Sequence, residues 1–429
     1  MQTSLQGIAN KAAVKKEHRF ENLFGMLNVE NALDSWKLLN KKAAYGVDKI
    51  SAQDYEQNLQ QNVEELIKEV KEKTYRAKLI RRQYIPKANG KIRGLGIPAT
   101  SDKLLQKMVA RILEAIYEQD FLASSYGYRP KLSPHNAIKD LEKQLQFGSY
   151  NFIVEADIKS YFDSIQHSVL LEMLKQRIND KPFLRLIEKW LKAGILDTNG
   201  KVIDPQTGVP QGGIVSPVVS NIYLHYVLDE WFEEVVKKHC KAKAYLCRFA
   251  DDFVCAFETK EDAERFYKVL GKRLNKYGLE LAEEKTKIIN FDRFNKQERR
   301  SFEFLGFELR WGVSRNGKTI IKRQTAKKKL KNSIANIGKW IKENRNLKMR
   351  VFFEQLNAKL RGYYNYYGMI GNYLRLQYYF YQVILLLKKW LNRRSHKPSY
   401  TWLGFNHMLE HYKIEKPRIR AETIKLTSS

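Results

Sequence analysis

Three aspartates stand where apolar, strand-forming stretches end: Asp157 after FIVEA, and the adjacent Asp251 and Asp252 between YLCRFA and FVCAF. Aspartate is disfavoured inside strands, and neighbouring carboxylates raise each other's pKa unless a cation compensates. An Asp-Asp pair alone reads as an ordinary turn. A third acid ending a second core strand alters that reading, because together the three form an all-oxygen donor set suited to a hard divalent cation. Phosphoryl transfer assisted by two Mg²⁺ ions about 4 Å apart is the chemistry that needs such a set.

The charge of the chain points to a polyanionic partner. Its 429 residues hold 77 Lys and Arg against 47 Asp and Glu, a net +30. A surplus of that size costs self-repulsion unless an anion neutralises it, and nucleic acid is the leading candidate. Between Trp311 and His396 there are 20 Lys or Arg and two acids, Glu343 and Glu354. The densest run, Lys322–Arg350, contains Lys327, Lys328 and Lys329. Such runs are usually solvated helix faces, but this one almost lacks the interleaved acids of a surface helix. Eight tyrosines follow between Tyr363 and Tyr381; most are expected in packing, beside basic helices that grip a duplex.

The 43% hydrophobic content supports proper cores, and the 12% aromatic content excludes intrinsic disorder. The longest apolar run, VILLL, is far too short to span a membrane. The first residues carry no secretory apolar core. Cys240, Cys247 and Cys255 make neither a disulfide framework nor a metal pair. A reducing, cytoplasmic location follows.

The elements that must carry the aspartates can be read from periodicity and turn residues. Helical spacing runs through 1–45, and Tyr55 to Lys73 reads as one amphipathic helix. RRQYIP, a KANG turn and KIRGLGIP make a β-hairpin. A helix follows from Ser101, its expected N-cap, to about Gln119. FIVEADI and AYLCRFADDFVCAFET supply three short buried strands, with Ala250-Asp251-Asp252 at a tip. Helices are expected around 167–178, 182–194 and 218–238, the last after the VPQGGIVSP loop, and again over 261–277. FEFLGFELRWG is strand, and 313–395 reads as helical. This order is α+β, then nearly all helix.

With these blocks in place, the sequence resembles reverse transcriptases of the bacterial group II intron-encoded (maturase) type. EADIKSYFDSI resembles the first catalytic block, and FADD resembles the Y-x-D-D block, with Phe249 keeping the aromatic ring. VPQGGIVSP resembles the nucleotide-pocket block and YIPKANGKIRGLGIP the fingers hairpin. GLELAEEKTKII, FEFLGFEL and RGYYNYYG resemble the blocks that follow, in the family's order over residues 20–420. The resemblance implies a right-hand polymerase: an N-terminal helical extension (1–45), fingers and palm (46–312), and an all-helical thumb or maturase domain (313–429).

It also implies roles. Asp157 and Asp251 would bridge two Mg²⁺ ions, with the Ile158 carbonyl completing one shell and Asp252 assisting from the second position of the turn. Lys87 and Arg93, otherwise plain hairpin cations, would close over the β- and γ-phosphates. Phe162, otherwise a core residue, would clash with a ribose 2′-hydroxyl and so select deoxynucleotides. The Ser160 and Tyr161 amides would meet the triphosphate. Gln211 would line the pocket, its neighbouring glycines admitting template or nucleotide. Lys285 is a candidate general acid toward pyrophosphate, and Gly306 would lie in the primer grip. Lys327, Lys328 and Lys329 would contact nucleic acid. The implied partners are RNA template, DNA primer, dNTPs and parent intron RNA. No His/Cys metal spacing follows residue 396, so the type lacking an endonuclease domain is expected. Two further readings stay open: a domesticated or CRISPR- or phage-defence relative acting in repair or immunity, and an RNA-binding maturase without polymerase activity. The complete set of three aspartates weighs against the second.

Overall fold

The structure, a computed structural model, describes residues 4–86, 92–294, 300–314, 316–394 and 400–420. The chain forms two compact units, Met1–Asn290 and Phe291–Ser429. The expected functional boundary at 312/313 therefore falls inside the second unit. Among the described residues no helix is long and apolar enough to cross a membrane.

Among the described residues, ten short strands lie in the first unit. β1 (Ile80–Pro86) and β2 (Ile92–Ile97) form the expected hairpin, with Ile85 opposite Arg93. β3 (Phe152–Ala156) runs into β4 (Ile158–Lys159), and β5 (Ile195–Leu196) and β6 (Val202–Ile203) extend the hairpin sheet from β1. β7 (Ala244–Phe249) and β8 (Asp252–Phe257) form a second antiparallel hairpin. β9 (Glu280–Leu281) pairs with β4, and β10 (Lys287–Asn290) pairs with β3. The central sheet has the order β10-β3-β8-β7, so the two strands that carry the three aspartates are neighbours. From Phe253 to Phe257, β8 is buried throughout, the pattern of a strand covered on both faces.

Helices pack this sheet into one core. Thr100–Tyr117 runs deep in that core, with Leu104, Val109, Leu113 and Ile116 fully buried. The N-terminal helices Leu5–Val14 and Val29–Lys37 bury Ile8, Ala12, Ala32 and Trp36 in that same core. The expected N-terminal extension is thus part of the unit's packing.

Several local expectations are corrected. Tyr55–Lys73 is two helices, Ala52–Gln57 and Leu59–Lys71, with non-helical Asn58 between them. Ser101 is not an N-cap: the helix begins at Thr100 after Ala99, with no side-chain cap. The Thr100 hydroxyl instead donates to the Ile50 carbonyl at 2.7 Å, so a tertiary contact replaces the local one. The helix after the VPQGGIVSP loop starts at Ser216 and is wound as π-helix over His225–Asp229 and Phe232–Val236.

The second unit is not all-helical. Strands β11 (Ser301–Phe304), β12 (Phe307–Val313) and β13 (Thr319–Thr325) form an antiparallel sheet, so the first part of the Lys322–Arg350 run is strand. Ile321, Arg323 and Thr325 are buried in alternation along β13, a period-two pattern hidden by the surrounding lysines. Helices Lys327–Asn344, Met349–Tyr367, Tyr373–Leu391 and Trp402–His411 follow.

Candidate active site

The β7–β8 hairpin turns through two residues, Ala250 and Asp251, with Phe249 paired to Asp252. Asp252 is thus the first residue of β8, exposed, rather than the second position of the turn. Ala250 adopts φ 57°, left-handed backbone that a residue with a Cβ seldom takes. The segment before the Pro134–Phe147 helix holds this loop in place. The Arg248 amide donates to the Ser124 carbonyl at 2.8 Å, and the Tyr126 amide donates to the Arg248 carbonyl at 2.9 Å. Gly127 lies against the loop so closely that a Cβ there would come within 2.2 Å of the Ala250 nitrogen.

Asp157 directly follows β3, in which Ala156 lies opposite Phe253. The antiparallel register therefore brings Asp157 alongside Asp252 at one end of the sheet. Burial raises the Asp251 pKa, the Asp157 charge raises it further, and the charges of Arg93 and Arg248 oppose both. The Asp157 carbonyl accepts from the Ala282 amide at 2.8 Å, which ties it to the turn before β10. Its carboxylate accepts from Lys285 Nζ, an ion pair that raises the lysine's pKa. Ile158 is buried and paired with Leu281.

Among the described residues no three His, Cys, Asp or Glu side chains are poised as a ready cation cage. The expected metal set is gathered at one sheet end, with the Lys285 ammonium on Asp157 where a cation would otherwise lie. The donors are oxygens only. That chemistry suits a hard divalent ion.

Around the carboxylates, Ser160 takes φ 45° and opens the one-turn helix Tyr161–Ser164. The buried Tyr161 hydroxyl donates to the Ser220 carbonyl at 2.5 Å. Phe162 is half-buried, and its ring meets that of Tyr128 edge-on, with centroids 6.5 Å apart. The Gln211 carbonyl accepts from the Gly96 amide at 2.7 Å, so the VPQGGIVSP loop is joined to β2. Gly212, at φ 116°, approaches Gly96 so closely that a Cβ would lie 2.7 Å from its carbonyl oxygen. The missing Cβ of Gly212 thus lets the two backbone segments come together. Arg93 is exposed on β2, and its charge acts on Asp251. Lys87 lies outside the described residues.

Residues 85–309 match the reverse transcriptase (RNA-dependent DNA polymerase) family. The chain belongs to that family. The chain is similar to proteins that include a group II intron-encoded one. It is 34% identical over 332 residues to protein YkfC of Escherichia coli, covering 70% of this chain and 85% of YkfC. It is 32% identical over 407 residues to the group II intron-encoded protein LtrA of Lactococcus lactis, covering 75% of this chain and 66% of LtrA. It is also 27% identical over 436 residues to a putative COX1/OXI3 intron 1 protein of Saccharomyces cerevisiae, of which it spans 51%. The chain thus spans just under two thirds of LtrA and about half of the yeast relative.

Two residues of the candidate site carry no signal in the sequence. Tyr128 has φ 57°, and its hydroxyl pKa is raised by burial and then by the charge of Asp251. Arg248, inside β7, sits beneath the aspartate turn with no exposed surface. Neither carries a local signal: one is a tyrosine in a loop, the other a cation in an apolar strand. In the second unit, Leu305 and Gly306 have φ 49° and 79° and make the tight β11–β12 turn. The Tyr366 hydroxyl donates to the Leu305 carbonyl at 2.9 Å. Lys327, Lys328 and Lys329 are exposed in the first turn of their helix.

Proposed function

We propose that the chain is an RNA-directed DNA polymerase that extends a primer 3′-hydroxyl with dNTPs, and that it also binds its parent intron RNA as a splicing maturase supporting retrohoming. The observation that carries this reading is the convergence of Asp157, Asp251 and Asp252 at one end of neighbouring strands in a chain of this family. In this reading β1–β2 belongs to the fingers, the central sheet to the palm, and the described helices of the second unit to the thumb.

Asp157, the Ile158 carbonyl, Asp251 and Asp252 would hold two Mg²⁺ ions, which supply Lewis acidity toward the phosphates and lower the pKa of the attacking hydroxyl. Arg93 acts electrostatically on Asp251 and is suited to the triphosphate charge, and Lys87 is proposed to share that role. The left-handed Ser160 opens a turn whose amides, with that of Tyr161, are suited to phosphate oxygens. Phe162 forms the sugar wall and Gln211 a pocket wall. Lys285 keeps its proton firmly, since pairing with Asp157 raises its pKa; a protonated amine beside the acids is a competent donor to pyrophosphate. Gly306 lies in the primer grip.

The basic thumb supports the duplex contact. Three lysines in a helix's first turn repel the positive end of its dipole, a placement that an anion relieves. The two acids of the region are used locally, Glu343 with Lys339 and Glu354 with Arg350, and the region keeps a large excess of basic side chains.

Primer extension on an RNA template, with and without Mg²⁺, tests the assignment. Asp251→Asn and Asp157→Asn should each reduce extension to below a few per cent of wild type and leave RNA affinity nearly intact. Binding resides in the basic surface, whereas loss of one carboxylate breaks the cation site. Extension by either variant at wild-type rate removes the assignment.

A further inference from the structure

Arg248 is the largest fully buried side chain among the described residues, with 0% exposure, two positions before the aspartate turn. Each of its five N–H groups is used. Nε and Nη2 clamp the Asp229 carboxylate at 2.6 and 2.5 Å. Nη1 donates to Asn221 Oδ1 at 3.0 Å and to the Ala250 carbonyl at 2.9 Å. Nη2 also donates to Ser125 Oγ at 2.7 Å. One planar group thus fastens the turn to the segment beneath it and to the helix that follows the VPQGGIVSP loop.

That helix is shaped to receive it. Asn221 and Asp229 are eight residues apart in one continuous helical run. Two α-helical turns take only ~7.2 residues, so uninterrupted α-helix would rotate Asp229 away from the Asn221 side. The π-helical stretch His225–Asp229 winds more slowly and brings the two side chains round together. Asn221 also donates its amide to the Gly127 carbonyl, the same glycine that seats Ala250.

Stability does not account for such a pair. Two desolvated charges are costly, and well-packed apolar residues of similar volume commonly hold a core as firmly. The Ala250 bond is what they cannot reproduce. It fixes a non-glycine residue in left-handed backbone immediately before Asp251.

We propose that Arg248 is a positioning residue of the cation site: its guanidinium, oriented by Asp229 and Asn221, sets the Ala250-Asp251 loop and with it the Asp251 carboxylate. The role rests on the reading of Asp251 as a metal ligand. Lysine cannot substitute, since a point charge with three donors can neutralise Asp229 but cannot fork to Asn221, Ser125 and Ala250 as well.

The test uses the full chain with Arg248→Lys and the double variant Arg248→Met/Asp229→Met. Thermal unfolding reports the core. Mn²⁺ titration followed by electron paramagnetic resonance, without nucleic acid, reports the site, and single-nucleotide incorporation reports the reaction. The double variant removes the buried charges together, so its unfolding midpoint should stay close to wild type. Its Mn²⁺ affinity should fall tenfold or more, and its incorporation rate by tenfold or more at saturating duplex. Arg248→Lys should show the same two losses, and it carries the comparison alone if the double variant does not fold. Mn²⁺ affinity and incorporation within twofold of wild type in a folded variant would overturn the proposal and leave Arg248 as a core ion pair. Asp251→Asn is the reference: if it too binds Mn²⁺ like wild type, the reading of Asp251 as a metal ligand fails instead.

Discussion

Phe162 stands between core and pocket, half-buried, with its ring against the edge of Tyr128. If it forms the sugar wall, shortening it opens space where a 2′-hydroxyl would lie. Phe162→Ala should lower the preference for dNTPs over rNTPs by about tenfold, in the range that one sterically defined pocket contact supplies. Competition assays with matched dNTP and rNTP pairs measure this directly, and an unchanged ratio returns Phe162 to packing. At this scale the sequence was legible where residue type conflicts with its surroundings. Aspartates at the ends of apolar strands are such a conflict, and they stood out. Arg248 is the same kind of conflict, a cation between Cys247 and Phe249, but in a chain so rich in arginine and lysine one more cation is not distinctive. Tyr128 has no conflict to read, because its position beside Asp251 follows from long-range contacts alone.

Elements begin and bend here for tertiary reasons. The Thr100–Tyr117 helix starts without a side-chain cap and carries Asp102 in its first turn, almost fully buried. Tyr75 Oη donates to Asp102 Oδ1 at 2.6 Å, and the Lys78 amide donates to Oδ2 at 3.1 Å. Burial nevertheless outweighs these bonds and pushes the carboxyl up to about 6 from 3.8. A carboxyl whose pKa rises on folding stabilises below its unfolded value, and that contribution is lost as pH rises through its folded value. Asp102 should therefore remove roughly 3 kcal/mol of folding stability as pH rises from below 4 to above 6. Urea unfolding of wild type and Asp102→Asn at pH 4.5 and pH 7 checks the sign: the wild type should lose ground to the variant at the higher pH. A stability difference that is constant with pH would show that Asp102 does not titrate in this window. The two helices expected as one at Tyr55–Lys73, and the π-helical stretches after Ser216, have the same origin. Periodicity reports that a helix exists, whereas its breaks answer to partners distant in sequence.

Over the whole molecule the net charge of +30 is the dominant physical fact, and its densest part lies in the second unit. If Lys327, Lys328 and Lys329 contact phosphates, each contact releases condensed counterion, and log affinity falls with log salt by about 0.9 per contact for duplex DNA. Replacing all three by alanine should flatten that slope by up to about two or three units and lower processivity. Incorporation of a single nucleotide on saturating duplex should change little. Salt titrations of duplex binding on the two proteins, at matched pH and Mg²⁺, decide the matter; parallel lines would make these lysines a solvated helix face. What the sequence determined by itself was the chemistry and its order along the chain: the three acids, the glycine-bearing turns, the basic region and the family blocks. These are carried by residue type and short spacing, which folding does not change. Tertiary structure alone decided what those residues do to one another. It set Asp157 beside Asp252 through the β3–β8 register and gave Lys285 to Asp157. It turned Thr319–Thr325 into a strand within a lysine-rich run, because burial of alternate side chains against neighbouring strands outweighs local composition. It also placed Arg248 under the aspartate turn, where pairing with a carboxylate 19 residues earlier makes a buried charge tolerable.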